Sequence, residues 1–243
     1  MARFLTALPV FNEARHVSAV LDEVLRHTSD VLVVDDGSTD GTSELLAARV
    51  ADRGDVRVVR HAANAGYGAA LATAFRETLA GGWAGLVTID CDGQHQPRLI
   101  PEFIAAAGRA DIVSGSRYLR KFPGDSEPPL ARRRINEAIT AEINGRLGLA
   151  ISDAFCGFKV YSRRALAALH VTEPGYAMPL EVWVQAAAAG LRIVELPVPL
   201  LYLDLARSFG GALDDAMTRL AYYRGVLDRA EAAVAAGAAG LAS

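Results

Sequence analysis

Lysine is almost absent from this 243-residue chain: of 25 basic side chains only Lys121 and Lys159 are lysines, and the rest are arginine. Arginine's planar fork suits phosphate and carboxylate recognition, although GC-rich coding gives the same bias. An excess of positive charge is also missing. The net charge is -3, which argues against bulk electrostatic binding to nucleic acid. Cysteine occurs only as Cys91 and Cys156, with no metal-ligand spacing and no disulfide framework. That pattern leaves a reduced, cytoplasmic setting as the expectation. No stretch reaches the roughly 18 consecutive apolar residues of a membrane span. The nearest is the Ala/Gly-rich tail from Ala232 to Ala242, and Met1 to Pro9 turns polar too early for a signal peptide. The expectation is a soluble chain that meets a membrane, if at all, only peripherally at its inner face. There is no internal repeat.

Apolar residues are plentiful, 51% of the chain, enough for one large core. Strand and helix patterns alternate through the first half. Phe4 to Leu8, Val31 to Val34, Val56 to Val59, Leu86 to Ile89 and Ile112-Val113 read as buried strands. Helices are expected from Asn12-Glu13 through Leu25, through Leu45-Leu46 with Ser38, Thr39 or Asp40 as cap, over Gly66 to Leu79, and from Pro97. This order predicts a parallel sheet covered on both faces. An irregular loop is expected over Leu119 to Leu130, then a helix from Ala131 to Leu147. Val160 to Leu169 and Pro179 to Ala189 read as helical or partly so, Arg192 to Leu196 and Val198 to Leu203 as late strands. Asp214 to Ala235 reads as an amphipathic helix.

Ligands of such sheets bind beyond the carboxyl ends of the strands. The polar clusters fall there: Pro9 to Glu13, Asp35 to Asp40, Asn64 to Gly68, Asp90 to His95 and Ser114 to Tyr118. Asp90 and Asp92, one residue apart after a buried strand, could aim together if the strand stays extended. Two such carboxylates repel unless a cation lies between them, and a divalent ion shared with a diphosphate meets that need. In isolation the pair is also what a solvated loop offers. Gly66 and Gly68 allow close backbone approach near a helix N-terminus, where amides favour anions. The third glycine of a dinucleotide fingerprint would fall at Leu71, which disfavours a nicotinamide site. Cys91 is expected to point into the core, His95 to be a structural loop residue, and Trp83 and Trp183 to serve packing.

Six segments together resemble family 2 glycosyltransferases, in particular dolichyl- and polyprenyl-phosphate mannose and glucose synthases. They are Pro9-Val10-Phe11-Asn12-Glu13, Val33 to Thr42, Asn64 to Ala70, Asp90-x-Asp92-x-Gln94-His95, Gly115-Ser116-Arg117-Tyr118, and Asp153-x-x-x-Gly157-Phe158. The resemblance implies a GT-A type, Rossmann-like three-layer α/β/α sandwich with a mixed, mainly parallel sheet. It implies inverting transfer of a hexosyl group from GDP-mannose or a UDP-sugar. Pro9, Phe11, Glu13, Asp36, Asn64, Gly66 and Asp90 would hold the nucleotide, and Asp90, Asp92 and Gln94 would hold Mg²⁺ or Mn²⁺. Asp153 and Arg117 would be catalytic. One domain is expected over 1–210, with a nucleotide-sugar half (1–118) and an acceptor half (119–210), followed by a helical extension (211–243).

Two acceptors remain open. A lipid phosphate such as polyprenyl or dolichyl phosphate is already an anion and needs cations, for which Arg117, Arg133, Arg134 and Arg207 are candidates; Arg120, Lys121 and Arg132 read more simply as solvated charges. A glycan or small-molecule hydroxyl needs a base, for which Asp153 is the candidate. The chain departs from the mannose synthases at Arg207-Ser208-Phe209-Gly210-Gly211-Ala212-Leu213, which keeps the arginine and glycine of their late motif but not its serine and lysine. It also lacks the C-terminal membrane helices of many relatives. A catalytically silent nucleotide-sugar-binding protein is the reading outside the enzymes. A homodimer is compatible with the sequence.

Overall fold

The computed structural model describes residues 2–202 and 211–240. Seven strands form one sheet in the order β3-β2-β1-β4-β6-β5-β7. In chain order they are β1 (Phe4–Val10), β2 (Val31–Asp35), β3 (Arg57–Arg60), β4 (Gly85–Thr88), β5 (Ile112–Ser116), β6 (Lys159–Ser162) and β7 (Ile193–Pro197). Only β6 runs against its neighbours, antiparallel to both β4 and β5; the other pairings are parallel. The sheet is thus mixed and mainly parallel.

Alternation along each strand divides the core between the two faces. Leu32 and Val34 of β2 belong to the sheet face that is covered along its width by α3 (Tyr67–Ala80), α5 (Leu130–Leu147), α6 (Arg163–Ala168), α7 (Met178–Ala188) and α8 (Ala216–Gly240). Val31 and Val33 face α1 (Val17–Val24), α2 (Thr42–Arg53) and α4 (Ile100–Ala106). Every position of β2 is buried, which is why such strands read as unbroken apolar runs.

Three elements refine or correct their sequence reading. The stretch 160–169 is helical only in part: residues 159–162 form β6, and the helix starts at Arg163, where the Ser162 hydroxyl accepts from the Ala165 amide at 3.1 Å. Asn12 does not open a helix. It takes a left-handed conformation (φ 56°), and α1 begins at Val17. Residues 198–202 form no strand. The stretch read as a C-terminal extension shares the main core: Tyr223, Val226, Leu227 and Ala230 of α8 are buried in the cluster that holds Trp183 and Ile139.

Because β6 enters the sheet in reverse, its N-terminal end lies at the carboxyl ends of β4 and β5. It delivers the 153–158 segment to the same edge as Asp90. Thr88 of β4 is paired with Lys159, and its hydroxyl donates to the Gly157 carbonyl at 2.8 Å. A side chain at Gly157 would overlap the Asp90 carboxylate, so this close crossing requires glycine.

Candidate active site

The strand ends surround a cavity of about 530 Å³. Pro9, Phe11, Glu13, Asp36, Asn64, Gly66, Asp90, Asp92, Gln94 and Arg117 all line it, so residues from five separate segments meet in one place. The first two loops are tied to each other. Asn12 N donates to Ser38 Oγ (3.0 Å), Asn12 Oδ1 accepts from Thr39 N (2.8 Å), and Glu13 N donates to Thr42 Oγ1 (2.9 Å). Each such bond adds on the order of 1 kcal/mol, and together they fix Phe11 and Glu13 over the cavity. Asp36 is buried, and its carboxylate accepts from Ala65 N (2.9 Å) and Gly66 N (2.7 Å) while His61 Nδ1 stands 2.6 Å away.

The glycines of the 64–68 loop serve a different contact from the one expected. Side chains at Gly66 and Gly68 would overlap the backbone carbonyls of Pro174 and Glu173. Ala65 N and Gly66 N donate to Asp36, and Ala69 N donates to Pro174 O at 3.2 Å, so the 173–175 loop buttresses the α3 terminus. Tyr176 from this loop stacks on Tyr67 with ring centroids 5.7 Å apart.

Asp90 accepts from Tyr67 OH at 3.0 Å and stands 3.1 Å from His95 Nε2. Burial would raise its pKa, but His95, Tyr67 and the nearby Lys159 charge outweigh that, so the carboxylate is held below its usual range. Asp92 Oδ1 accepts from Gln94 N at 3.0 Å, which orders the turn carrying both. A carboxylate has about four acceptor sites, so a carboxylate that accepts one or two bonds can still ligate a cation. Among the described residues no three acidic, His or Cys side chains form a metal-holding group. Two carboxylates and a side-chain amide facing a cavity fit a hard divalent ion that completes its shell with diphosphate oxygens and water.

Asp153 is fully buried and does not line the cavity; Arg117 stands between. Arg117 grips it with two side-chain bonds, Nε to Oδ2 at 2.6 Å and Nη2 to Oδ1 at 2.8 Å. The Arg117 amide (3.2 Å), Asn136 Nδ2 (2.9 Å) and the Phe155 amide (3.1 Å) also donate to this carboxylate. Burial alone would push its pKa up; the guanidinium and these donors overcome that and hold it well below the carboxylate range. Behind the pair, Glu195 accepts from Ser152 N (2.8 Å) and Asp153 N (3.1 Å), fixing the segment from β7.

The register of α5 sorts its three consecutive arginines. Arg132 shares a face with Ile135 and Asn136 and lines the cavity. Arg133 and Arg134 are exposed on other faces, Arg133 bonded to Glu137 at 2.8 Å. The expected phosphate ligands Arg133 and Arg134 are thus replaced in the wall by Arg132, because a 3.6-residue period separates neighbours by about 100°. Arg207 lies outside the described residues.

The sequence profile of glycosyl transferase family 2 fits residues 6–169. The chain belongs to that family. This family 2 glycosyltransferase is 33% identical over 227 residues to undecaprenyl-phosphate mannosyltransferase of Micrococcus luteus, covering 90% of this chain and 92% of the relative. It is 32% identical over 245 residues to polyprenol monophosphomannose synthase of Mycolicibacterium smegmatis, covering 96% and 91%. Its fold matches crystal structures of glucosyl-3-phosphoglycerate synthase from Mycobacterium tuberculosis (TM-score 0.69, 21% identity, 94% of this chain and 80% of that one). Mannosyl-3-phosphoglycerate synthase from Rubrobacter xylanophilus matches at TM-score 0.64 with 18% identity, covering 95% and 73%. The fold is of the GT-A type, as the sequence resemblance implied.

Several wall residues of the glycosyltransferase were not singled out by its sequence. Arg219 and Tyr223 reach the cavity from α8, one helical turn apart. Their spacing with Val226, Leu227 and Ala230 is a helical stripe, but nothing local shows that an arginine within it faces a cavity. Tyr67 and Tyr176 form the wall beside Asp90. Lys159 is buried beneath the site, its Nζ donating to Cys156 O and lying 5.3 Å from the Trp183 ring, and burial lowers its pKa.

Proposed function

We propose that this glycosyltransferase moves a hexosyl group from a nucleoside-diphosphate sugar to a polyprenyl phosphate, inverting the anomeric carbon. A mannosyl group is the sugar class that the names of both relatives support. The observation that carries the choice of acceptor is the Arg117–Asp153 pair. A hydroxyl acceptor needs a carboxylate that can take its proton, and Asp153, the candidate its sequence motif suggests, is buried, bonded on both oxygens and held strongly acidic. An anionic acceptor needs no base. It needs cations, and Arg117, Arg132 and Arg219 all line the cavity.

In the reaction a phosphate oxygen of the acceptor attacks the anomeric carbon. The bond from that carbon to the donor diphosphate breaks, and the diphosphate leaves with the electron pair. Pro9, Phe11, Glu13, Asp36, Asn64 and Gly66 line the nucleoside end. Asp90, Asp92 and Gln94 would hold Mg²⁺ or Mn²⁺, which when bound supplies positive charge to the leaving diphosphate. Asp153 is a positioning residue: it spends two of the five N–H donors of Arg117 and fixes the plane of the guanidinium for the incoming phosphate. No described helix is long and apolar enough to cross a membrane, so we read the chain as meeting its lipid acceptor at a membrane surface.

The test offers GDP-mannose and UDP-hexoses, with Mn²⁺, to a prenyl phosphate, the matching prenol and a glycan. Transfer to the phosphate alone, abolished by Asp92→Asn, is the expected result. Transfer to the prenol or glycan at a similar rate overturns the acceptor assignment. Donor binding without transfer to any of the three leaves a silent binding protein.

A further inference from the structure

His61 acts on the cavity wall from outside the cavity. It follows β3 directly, its amide donating to Asp35 O at 2.8 Å, and its ring lines a separate groove with Thr73 and Arg76 of α3. The ring touches Asp36, which lines the main cavity with only 4% of its side chain exposed. The whole 61–66 segment wraps this carboxylate. His61 Nδ1 (2.6 Å) and Ala65 N (2.9 Å) both meet Oδ1, and Gly66 N (2.7 Å) donates to Oδ2. Gly37, the next residue after Asp36, packs so closely on the backbone of Ala63 and Asn64 that a Cβ there would overlap it. Two of the three donors are main-chain amides, which no side-chain substitution removes. The third is the imidazole of His61.

The ring is itself oriented from behind. An ionised carboxylate only accepts, so Nδ1 is the nitrogen that donates. Nε2 stands 2.9 Å from Thr73 Oγ1, and that oxygen accepts from Arg76 Nη2 at 2.9 Å. Thr73 thus keeps its own proton to give to Nε2, which fixes the tautomer that faces Asp36. A threonine inside a helix commonly returns its hydroxyl to the carbonyl one turn back, as Thr78 does to Ala74 O at 2.7 Å. Thr73, equally buried in the same helix, turns its hydroxyl to His61 instead.

We propose that His61 is a positioning residue for the donor nucleoside. With Oδ1 engaged by two protein donors, Oδ2 is the oxygen that Asp36 turns to an N–H of the base. His61 holds the carboxylate in that orientation, and Thr73 and Arg76 hold His61. A bond from an N–H to a charged acceptor is stronger than a neutral one, so it can set the plane of a carboxylate that has little room to move. The inference rests on the nucleotide-sugar reading above. To the residues that line the nucleoside end it adds one that acts without touching the nucleoside.

Calorimetric titration of the full chain with GDP and with UDP, each in Mn²⁺, tests it, and inorganic pyrophosphate in Mn²⁺ serves as the probe without a base. His61→Asn restores an amide N–H at the place of Nδ1. His61→Gln moves that amide to the place of Nε2, beside Thr73. For each nucleotide that the wild type binds, His61→Gln should weaken binding by about tenfold or more, since a bond to a charged acceptor is lost. His61→Asn should recover most of that loss, and pyrophosphate should bind all three proteins alike. Thr73→Val, which removes only the hydroxyl behind the ring, should cost about threefold in the same direction. Pyrophosphate binding that weakens in parallel, equal losses in the two His61 variants, or full nucleotide affinity in both His61→Gln and Thr73→Val overturns the proposal. A wild type that binds neither nucleotide defeats the donor reading and this inference together. Titrations as expected, with no transfer to a prenyl phosphate, defeat the acceptor reading alone and leave His61 in its role.

Discussion

Asp153→Asn removes one charge from the Arg117 pair while keeping the shape of the side chain, so no cavity is created. The cost comes from leaving the Arg117 guanidinium, 19% exposed, beside a neutral amide in a site where Asp153 has no exposure at all. Breaking a fully buried pair from one side costs roughly 3–5 kcal/mol. The partial exposure of Arg117 places this variant near the lower end, about 3 kcal/mol. The amide nitrogen must also face either Arg117 or Asn136, both donors to this carboxylate. For a domain of this size, about 2–4 °C per kcal/mol gives a melting temperature lower by about 6–12 °C. Steady-state kinetics should show acceptor KM raised by about tenfold or more, because the freed guanidinium no longer holds one orientation, with donor KM little changed. A proton acceptor behaves otherwise. If the melting temperature and both KM values are unchanged while kcat falls by about a hundredfold or more, Asp153 is a base and the argument for a phosphate acceptor collapses.

The same pair sets an acid limb of stability. Asp153 has a folded pKa held below its unfolded value near 3.9, so its contribution is complete above that pH and is lost as pH falls beneath it; wild type should lose stability below about pH 4 by a component that Asp153→Asn lacks. Calorimetry should find Mg²⁺ or Mn²⁺ binding weak to the protein alone and much tighter with a nucleoside diphosphate present, since the described residues offer no three-ligand acidic group; equal affinity in both titrations would refute the shared-ligand reading. Gly68→Ala should destabilise by about 2 kcal/mol in thermal melts, because the new methyl overlaps the Glu173 carbonyl and outweighs the ~1 kcal/mol that alanine gains in a helix. The Cys156 thiol, buried and pushed up to about 11 by that burial, should resist Ellman's reagent at neutral pH until the protein unfolds.

The first five strands and their loops were legible because the physics there is local. Val31 to Val34 is apolar throughout, and the acids that follow it must lie at its carboxyl end. The sequence was less readable where the fold depends on long-range pairing. Lys159–Ser162 is a four-residue strand inserted between β4 and β5 and followed at once by α6, so its apolar residues merge into a helical spacing. Arg132, Arg133 and Arg134 are equivalent as letters, and only the packing of Ile135 and Ile139 fixes which one turns inward. Gly66 and Gly68 signalled a close approach correctly, but the approaching group is a carbonyl from a loop more than a hundred residues away. Asp153 was visible as a motif residue; its burial behind Arg117 was not.

The buttress beneath the donor loop limits how the molecule can be divided. Tyr222 of α8 bonds to Glu173, whose loop fills the gaps at Gly66 and Gly68 and carries Tyr176 onto Tyr67, which in turn holds Asp90. A chimera that grafts a foreign C-terminal half to change the acceptor would also replace the support under Tyr67 and Asp90. The exchangeable unit is therefore not the acceptor half alone. It is that half together with the 64–68 loop that its 173–176 segment has been shaped to fit.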